Sequence, residues 1–346
     1  MNTKTLKEIR KANIAIKKTI RKMEEKMEKT LISNVNGAFH KILKYQIKTE
    51  GKRLRPKLAI VSLKMLKGKE KDIIYPAAGL EILHNCSLII DDIIDDSRLR
   101  RGEPSAWVRF GKSIAQCVAM DYSAAIFETA LKSKNPERIS NIFAKTLKIV
   151  MNGEIMDILF EQTGREDEPY IKENRYSTIK EEDYLRMTEQ KTAIFIGASC
   201  QVGGICANGN KKQIEKLRKY GLNLGMAFQI SDDLLDIFGK EERFGKKIGK
   251  DIQEGKGGNC VIYFALQEFT MEEKKKFWNI LRKDKIGGED VKKAIRMIKK
   301  TKARERAIEY GESFVIKAKK NLSFLPQNKW NDFLSDLADD IIGRNK

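Results

Sequence analysis

The sequence predicts an all-α protein. Only six prolines interrupt its 346 residues, and long stretches are dominated by Lys, Glu, Ile and Leu, which are at home in helices. Apolar residues recur at helical spacing from the start: Leu6, Ile9, Ile16, Ile20, Met23 and Met27 mark residues 1–30 as one basic amphipathic helix. A hydrophobic content of 41% supplies a substantial core. We read residues 1–30 as an N-terminal helix and 31–346 as a single domain.

Composition narrows the function classes. The formal charge is +20, which suits nucleic acid or an anionic membrane as partner. Yet the lysines are spread along the chain with no tight basic block, so a solvated lysine-rich surface is expected and nucleic acid is not. The N-terminal helix is expected to pack on the body, with a second subunit or a peripheral membrane contact as alternatives. No window approaches the 18 or more apolar residues of a membrane span. The opening MNTKTLKEIRKANIAIKK lacks the apolar core of a signal peptide. Five cysteines (Cys86, Cys117, Cys200, Cys206, Cys260) have no metal-type spacing and suggest free thiols in a reducing cytoplasm.

GKRLRP at Gly51–Pro56 separates two helical segments, with Pro56 suited to a first helical turn. Lys52, Arg53 and Arg55 then stand where the helix dipole favours anions. A bound phosphate makes that arrangement favourable, against the alternative of a plain basic loop. Residues 72–96 form the next helix, with Pro76 tolerated near its start. It runs into SLIIDDIIDDSRLRR, residues 87–101. Asp91 and Asp95 share one helical face, and Asp92 and Asp96 repeat the pattern one step round. At ~4 Å and an effective dielectric near ~20, each close pair repels by roughly 4 kcal/mol. A hard divalent cation, magnesium above all, relieves that cost. A solvated acidic helix end is the plainer alternative, weakened by the apolar run from Ile82 to Ile90. His84, two turns before Asp91, faces the same side and serves equally as core histidine or ligand. Arg98, Arg100 and Arg101 lead into a loop at Gly102 and Pro104, offering guanidinium forks to diphosphate oxygens.

Helices follow at about 105–133, 137–163 and 181–207, with Asp157, Lys191, Thr192 and Gln229 as polar residues in apolar patterns. FQISDDLLDIFG at Phe228–Gly239 is a second acidic motif: Asp232, Asp233 and Asp236 repeat the i, i+1, i+4 spacing. Facing each other across a cavity, the two motifs would clamp a metal-bound diphosphate. Gly245–Gly258, GKKIGKDIQEGKGG, lacks the spacing of a nucleotide-binding P-loop, but Lys246, Lys247 and Lys256 suit a phosphate. Shorter helices are expected over about 259–343.

In order and spacing, these stretches resemble the trans-isoprenyl diphosphate synthases of the polyprenyl synthetase family, from about residue 45 to the end. GKRLRP, LHNCSLIIDDIIDDSRLRRGEPSAW, the KTA at Lys191–Ala193, FQISDDLLDIFG, GKKIGKDIQEGK and Arg344 carry the resemblance. It implies a bundle of antiparallel helices around a deep central cavity, a homodimer, and three Mg2+ ions held by Asp91, Asp92, Asp95, Asp232, Asp233 and Asp236. Arg100, Lys191, Lys246 or Lys247, and Lys256 would contact the allylic diphosphate. Lys52, Arg55, His84 and Arg101 would bind isopentenyl diphosphate, with Arg53 a neighbour. Groups around Lys191, Thr192 and Gln229 would line the carbocation pocket. Ile90, Met120 and Gly257–Asn259 depart from the common pattern without removing a metal ligand.

In similar enzymes the residues four and five before the first aspartate form the floor of the product cavity, and aromatic residues there stop the chain at farnesyl. Here they are Ser87 and Cys86, both small, which resembles geranylgeranyl diphosphate synthases. Geranylgeranyl diphosphate is the expected product and a longer polyprenyl diphosphate the alternative. A class I terpene cyclase would carry a different second metal motif, and a non-catalytic subunit would have eroded aspartates. Asp96 is left to solvation or a structural ion pair.

Overall fold

The structure, a computed structural model, describes residues 3–49, 51–239 and 248–343, with side chains from residue 13 onward. Lys246, Lys247 and Arg344, and the side chains of Leu6 and Ile9, lie outside the described residues. Helices run almost the whole length: α1 (Thr3–Leu31), α2 (His40–Leu43), α3 (Tyr45–Lys48), α4 (Leu54–Met65), α5 (Ile74–Ile94), α6 (Ala106–Phe110), α7 (Lys112–Leu131) and α8 (Pro136–Leu159). Then come α9 (Pro169–Asn174), α10 (Glu181–Thr188), a π-turn (Glu189–Ala193), α11 (Ile194–Cys206) and α12 (Lys211–Phe238). The chain ends with α13 (Lys250–Gln253), α14 (Cys260–Glu268), α15 (Met271–Leu281), α16 (Gly288–Ile298), α17 (Ala303–Leu322) and α18 (Lys329–Gly343). Among the described residues the one sheet is a two-stranded hairpin pairing Leu99–Arg100 with Glu103–Pro104. The all-α class read from the sequence is the observed one.

The chain divides into two compact units, each discontinuous in sequence. The first comprises Met1–Lys148, Ile196–Gly221 and Asn321–Ser335; the second comprises Ile149–Phe195, Leu222–Lys320 and Asp336–Lys346. In the first unit α5 is the central helix, packed most extensively on α7 and also on α1 and α4. Its residues from Pro76 to Leu83 are all buried, and Pro76 costs nothing in the first turn. α1 spends its apolar stripe inside this unit: Ile16, Met23, Met27 and Leu31 are buried there.

One stretch corrects the sequence reading. Residues 70–94 are apolar and long enough to cross a membrane by length and composition, although 67% of the relevant window is buried inside the fold. A core helix surrounded by other helices is apolar all round for the same reason a membrane span is.

A buried ion pair ties α1 to α5. Arg53 adopts a left-handed conformation (φ 48°) ahead of α4. Its guanidinium donates to Glu24 of α1 at 2.9 Å, to Glu81 of α5 at 3.0 Å and to the Ile47 carbonyl at 2.8 Å. The Glu81 side chain is 2% exposed. Arg53 is thus used inside the fold rather than displayed beside Lys52. Arg53→Met leaves Glu81 as an uncompensated buried charge and is expected to cost about 3–5 kcal/mol in urea unfolding. Arg53→Met/Glu81→Leu together should regain much of that loss; an equal loss in both variants would show that the pair is not the cause.

Candidate active site

In the first unit, α5 carries the first acidic motif to its C-terminus. The helix stops because Asp96 turns left-handed (φ 46°), a conformation short polar residues tolerate. The Ser97 amide then closes onto the Asp92 carbonyl at 2.9 Å, a Schellman-type end. Asp96, unassigned from sequence, therefore terminates the helix, and its carboxylate pairs with Lys112 at 2.8 Å on the surface. The hairpin that follows turns through Arg101 (φ 57°) and Gly102 (φ 83°), the two-residue geometry that matches strand twist.

That hairpin aims Arg100 back at the motif. Its Nε donates to both Asp92 oxygens at 2.9 and 3.1 Å, and its Nη2 to Asp91 at 2.8 Å and Asp92 at 2.5 Å. Burial works against the charge of Arg100, but Asp92 and Asp91 outweigh it and hold its pKa above the ordinary value. Asp92 is 1% exposed, whereas Asp91 and Asp95 are half-buried. Arg101 donates to the Thr49 carbonyl at 3.2 Å. A Cβ on Gly51 would come within 2.6 Å of its guanidinium, so the glycine that opens GKRLRP makes room for Arg101. His84 is half-buried; loss of solvation first, then Arg55, Arg101, Arg100 and Arg53, push its pKa well below the ordinary value. Its neutral ring keeps one donor and one acceptor nitrogen. Lys52 is exposed.

Cys86 and Ser87 occupy different surroundings. Cys86 is buried, with Sγ donating to the Ala119 carbonyl of α7 at 3.3 Å and 3.4 Å from Ser123 Oγ. Ser87 is half-buried, with Oγ donating to the His84 carbonyl at 2.9 Å.

In the second unit the three aspartates of α12 fall into three environments. Asp232 is exposed. Asp233 is buried and accepts from Tyr184 Oη at 3.0 Å, the Cys260 amide at 2.8 Å and Gln229 Nε2 at 2.9 Å. Gln229 accepts in turn from Thr192 Oγ1 at 2.8 Å, giving a chain Thr192–Gln229–Asp233. Asp236 accepts from the amides of Lys250 at 2.9 Å and Asp251 at 3.3 Å, at the start of α13. Burial first, and then nearby Asp251, push Asp233 up to about 7 and Asp236 up to about 8. Among the described residues, the charged forms of Asp233 and Asp236 are thus held at a cost that a divalent cation would relieve.

Lys191 lies in the π-turn, a local widening of the helix that is frequent at functional sites. It pairs with Asp157 at 2.6 Å and Glu154 at 2.9 Å, both on α8. Lys256 pairs with Asp157 at 3.3 Å and Glu254 at 3.2 Å.

The donor set fits magnesium: the six motif side chains offer only carboxylate oxygens. Among the described residues no three acids, histidines or cysteines already form a metal cage. Sequence reasoning gave no role to Tyr184, Glu81, Glu154 or Asp251, since each acts through a partner remote in sequence. Asp157 did stand out, as an acid in an apolar helical pattern.

Comparison with known proteins agrees with this chemistry. A profile of the polyprenyl synthetase family matches residues 36–298. A geranylgeranyl diphosphate synthase of Saccharolobus solfataricus is 36% identical over 288 residues, covering 78% of this chain and 82% of that protein. Among solved structures, a geranylgeranyl pyrophosphate synthetase from Pyrococcus horikoshii superposes with TM-score 0.85 at 29% identity, covering 97% of this chain and 99% of that one. A decaprenyl diphosphate synthase from Rhodobacter capsulatus superposes with TM-score 0.86 at 26% identity, covering 97% and 99%. The chain belongs to the polyprenyl synthetase family, whose members are magnesium-dependent prenyltransferases acting on isopentenyl and allylic diphosphates.

Proposed function

We propose that this prenyltransferase condenses isopentenyl diphosphate with dimethylallyl, geranyl or farnesyl diphosphate and releases geranylgeranyl diphosphate. The observation that carries the reading is α5 itself. One buried helix holds Asp91, Asp92 and Asp95 at its end, His84 among four arginines, and small Cys86 and Ser87 between them.

Roles are assigned residue by residue. Asp91, Asp92 and Asp95 in the first unit, and Asp232, Asp233 and Asp236 in the second, are assigned to three magnesium ions. Magnesium supplies positive charge for the departing pyrophosphate. Lys191, Lys256 and Arg100 grip the allylic diphosphate, with Lys246 or Lys247 from outside the described residues. Lys52, Arg55, His84 and Arg101 hold isopentenyl diphosphate; the neutral His84 offers a hydrogen bond where a fifth positive charge would be repelled. Thr192 and Gln229, locked to each other and to Asp233, present fixed dipoles beside the allylic carbon as positive charge develops. The released pyrophosphate is assigned as the acceptor of the final proton. The enzyme is proposed to act as a cytoplasmic homodimer.

A longer product is the second reading, favoured by the likeness to the decaprenyl diphosphate synthase. The test incubates the protein with magnesium, labelled isopentenyl diphosphate and each allylic primer, then sizes the products. Geranylgeranyl diphosphate is expected as the end point. Chains beyond it would support the second reading, and no elongation with any primer would reject both.

A further inference from the structure

We infer that Asp157 is a positioning residue for the allylic diphosphate: one oxygen of its carboxylate holds Lys191 and Lys256 together so that both ammonium groups meet the same ligand. The inference rests on the assignment of these lysines to that diphosphate, and it concerns the second unit alone.

Oδ2 of Asp157 lies 2.6 Å from Lys191 Nζ and 3.3 Å from Lys256 Nζ. The lysines come from different elements, the π-turn and the loop after α13, and two ammonium groups this close repel without a shared anion. Lys191 also pairs with Glu154 and Lys256 with Glu254, while Asp157 pairs with both lysines. Burial works against its charge, yet the two lysines outweigh burial and hold its carboxyl well below the usual carboxylate range. It is therefore an anion throughout the working pH range.

α8 fixes both main chains independently of this side chain. A Cβ on Gly153 would come within 2.3 Å of the Lys191 amide nitrogen, so the π-turn rests directly on the helix backbone. One turn past Asp157, Gln162 donates to the Gly255 carbonyl at 2.9 Å and Gly257 donates to the Phe160 carbonyl at 3.2 Å. Backbone contacts thus place the segments carrying the lysines, and Asp157, midway between, places their charged ends. A purely structural ion pair would not need to join two ligand-binding cations from separate elements at one oxygen.

The test is Asp157→Asn, which keeps shape and removes the anion, with Asp157→Glu as the conservative variant. Three quantities are read: the KM for farnesyl diphosphate, the KM for isopentenyl diphosphate, and calorimetric binding of magnesium pyrophosphate. Asp157→Asn is expected to raise the farnesyl diphosphate KM about tenfold or more, the scale seen when an orienting partner is lost. The isopentenyl diphosphate KM should stay within about twofold, pyrophosphate binding should weaken in parallel with the allylic KM, and Asp157→Glu should recover part of the loss. Equal KM changes for both substrates, or none, would overturn the inference. If Asp157→Asn does not fold, Asp157→Glu carries the test, since a displaced carboxylate must still raise the allylic KM selectively. If the wild-type protein elongates no primer, the functional assignment fails, while pyrophosphate binding still tests Asp157.

Discussion

Asp232→Asn is expected to lower kcat by about 10²- to 10³-fold, the cost of losing one oriented group at the developing charge. Unfolding free energy should change by less than about 0.5 kcal/mol, as for other surface substitutions. The split follows from the three environments within one motif. Asp232 is exposed, so its carboxylate can meet an incoming cation with little burial cost to the fold. Asp233 is buried among Tyr184, Gln229 and the Cys260 amide, so Asp233→Asn should lower stability as well as rate. An amide there would put a donor against the Cys260 N–H or the Gln229 amide, leaving a buried hydrogen-bonding group unsatisfied at about 1–3 kcal/mol. Steady-state kinetics with thermal unfolding of both variants separates the effects. Full kcat in Asp232→Asn would remove that residue from the metal site.

The motifs were legible because their logic is local. Carboxylates at i, i+1 and i+4 on a helix are crowded whatever the rest of the chain does, and the sequence alone shows that cost. The helices were legible for a similar reason, since their apolar periodicity outlasts any single residue. What escaped depends on remote partners. Arg53, Asp96 and Arg101 all take positive φ, and none is the glycine that would have announced it. Gly51 did announce something, but not that its missing side chain makes room for a guanidinium fifty residues later. The π-turn at Glu189–Ala193 widens one turn inside a helical pattern, too small a change to disturb the hydrophobic period. The pairing of α1 with α5 through Arg53 and Glu81 was hidden for another reason. A basic residue in a basic loop looks solvated until its buried acid is seen.

Chain length is where a single substitution should change what the enzyme makes. Cys86 sits with its thiol against the Ala119 carbonyl and Ser123 of α7, so small atoms meet small atoms where the two helices pack. Cys86 is buried, so a phenylalanine in its place must push α7 away or turn its ring out of the helix pair. The first costs about 1–3 kcal/mol of stability by overpacking. The second puts an aromatic ring one turn before the Asp91 end of α5. Position 87 is half-buried and its hydroxyl only returns to the His84 carbonyl, so Ser87→Phe should disturb the packing less. Both variants are expected to shift the main product from geranylgeranyl to farnesyl diphosphate. A single methylene already discriminates by about 10- to 200-fold in an apolar pocket, and a ring occupies far more. Products from labelled isopentenyl diphosphate and geranyl diphosphate, resolved by chain length, give the ratio directly. The two variants also separate cause from side effect. If only Cys86→Phe shortens the chain, and does so with loss of stability, disturbed helix packing explains it. If both shorten it and Ser87→Phe keeps its melting temperature, the floor of the cavity lies on this turn of α5. An unchanged product spectrum in both would place the floor elsewhere.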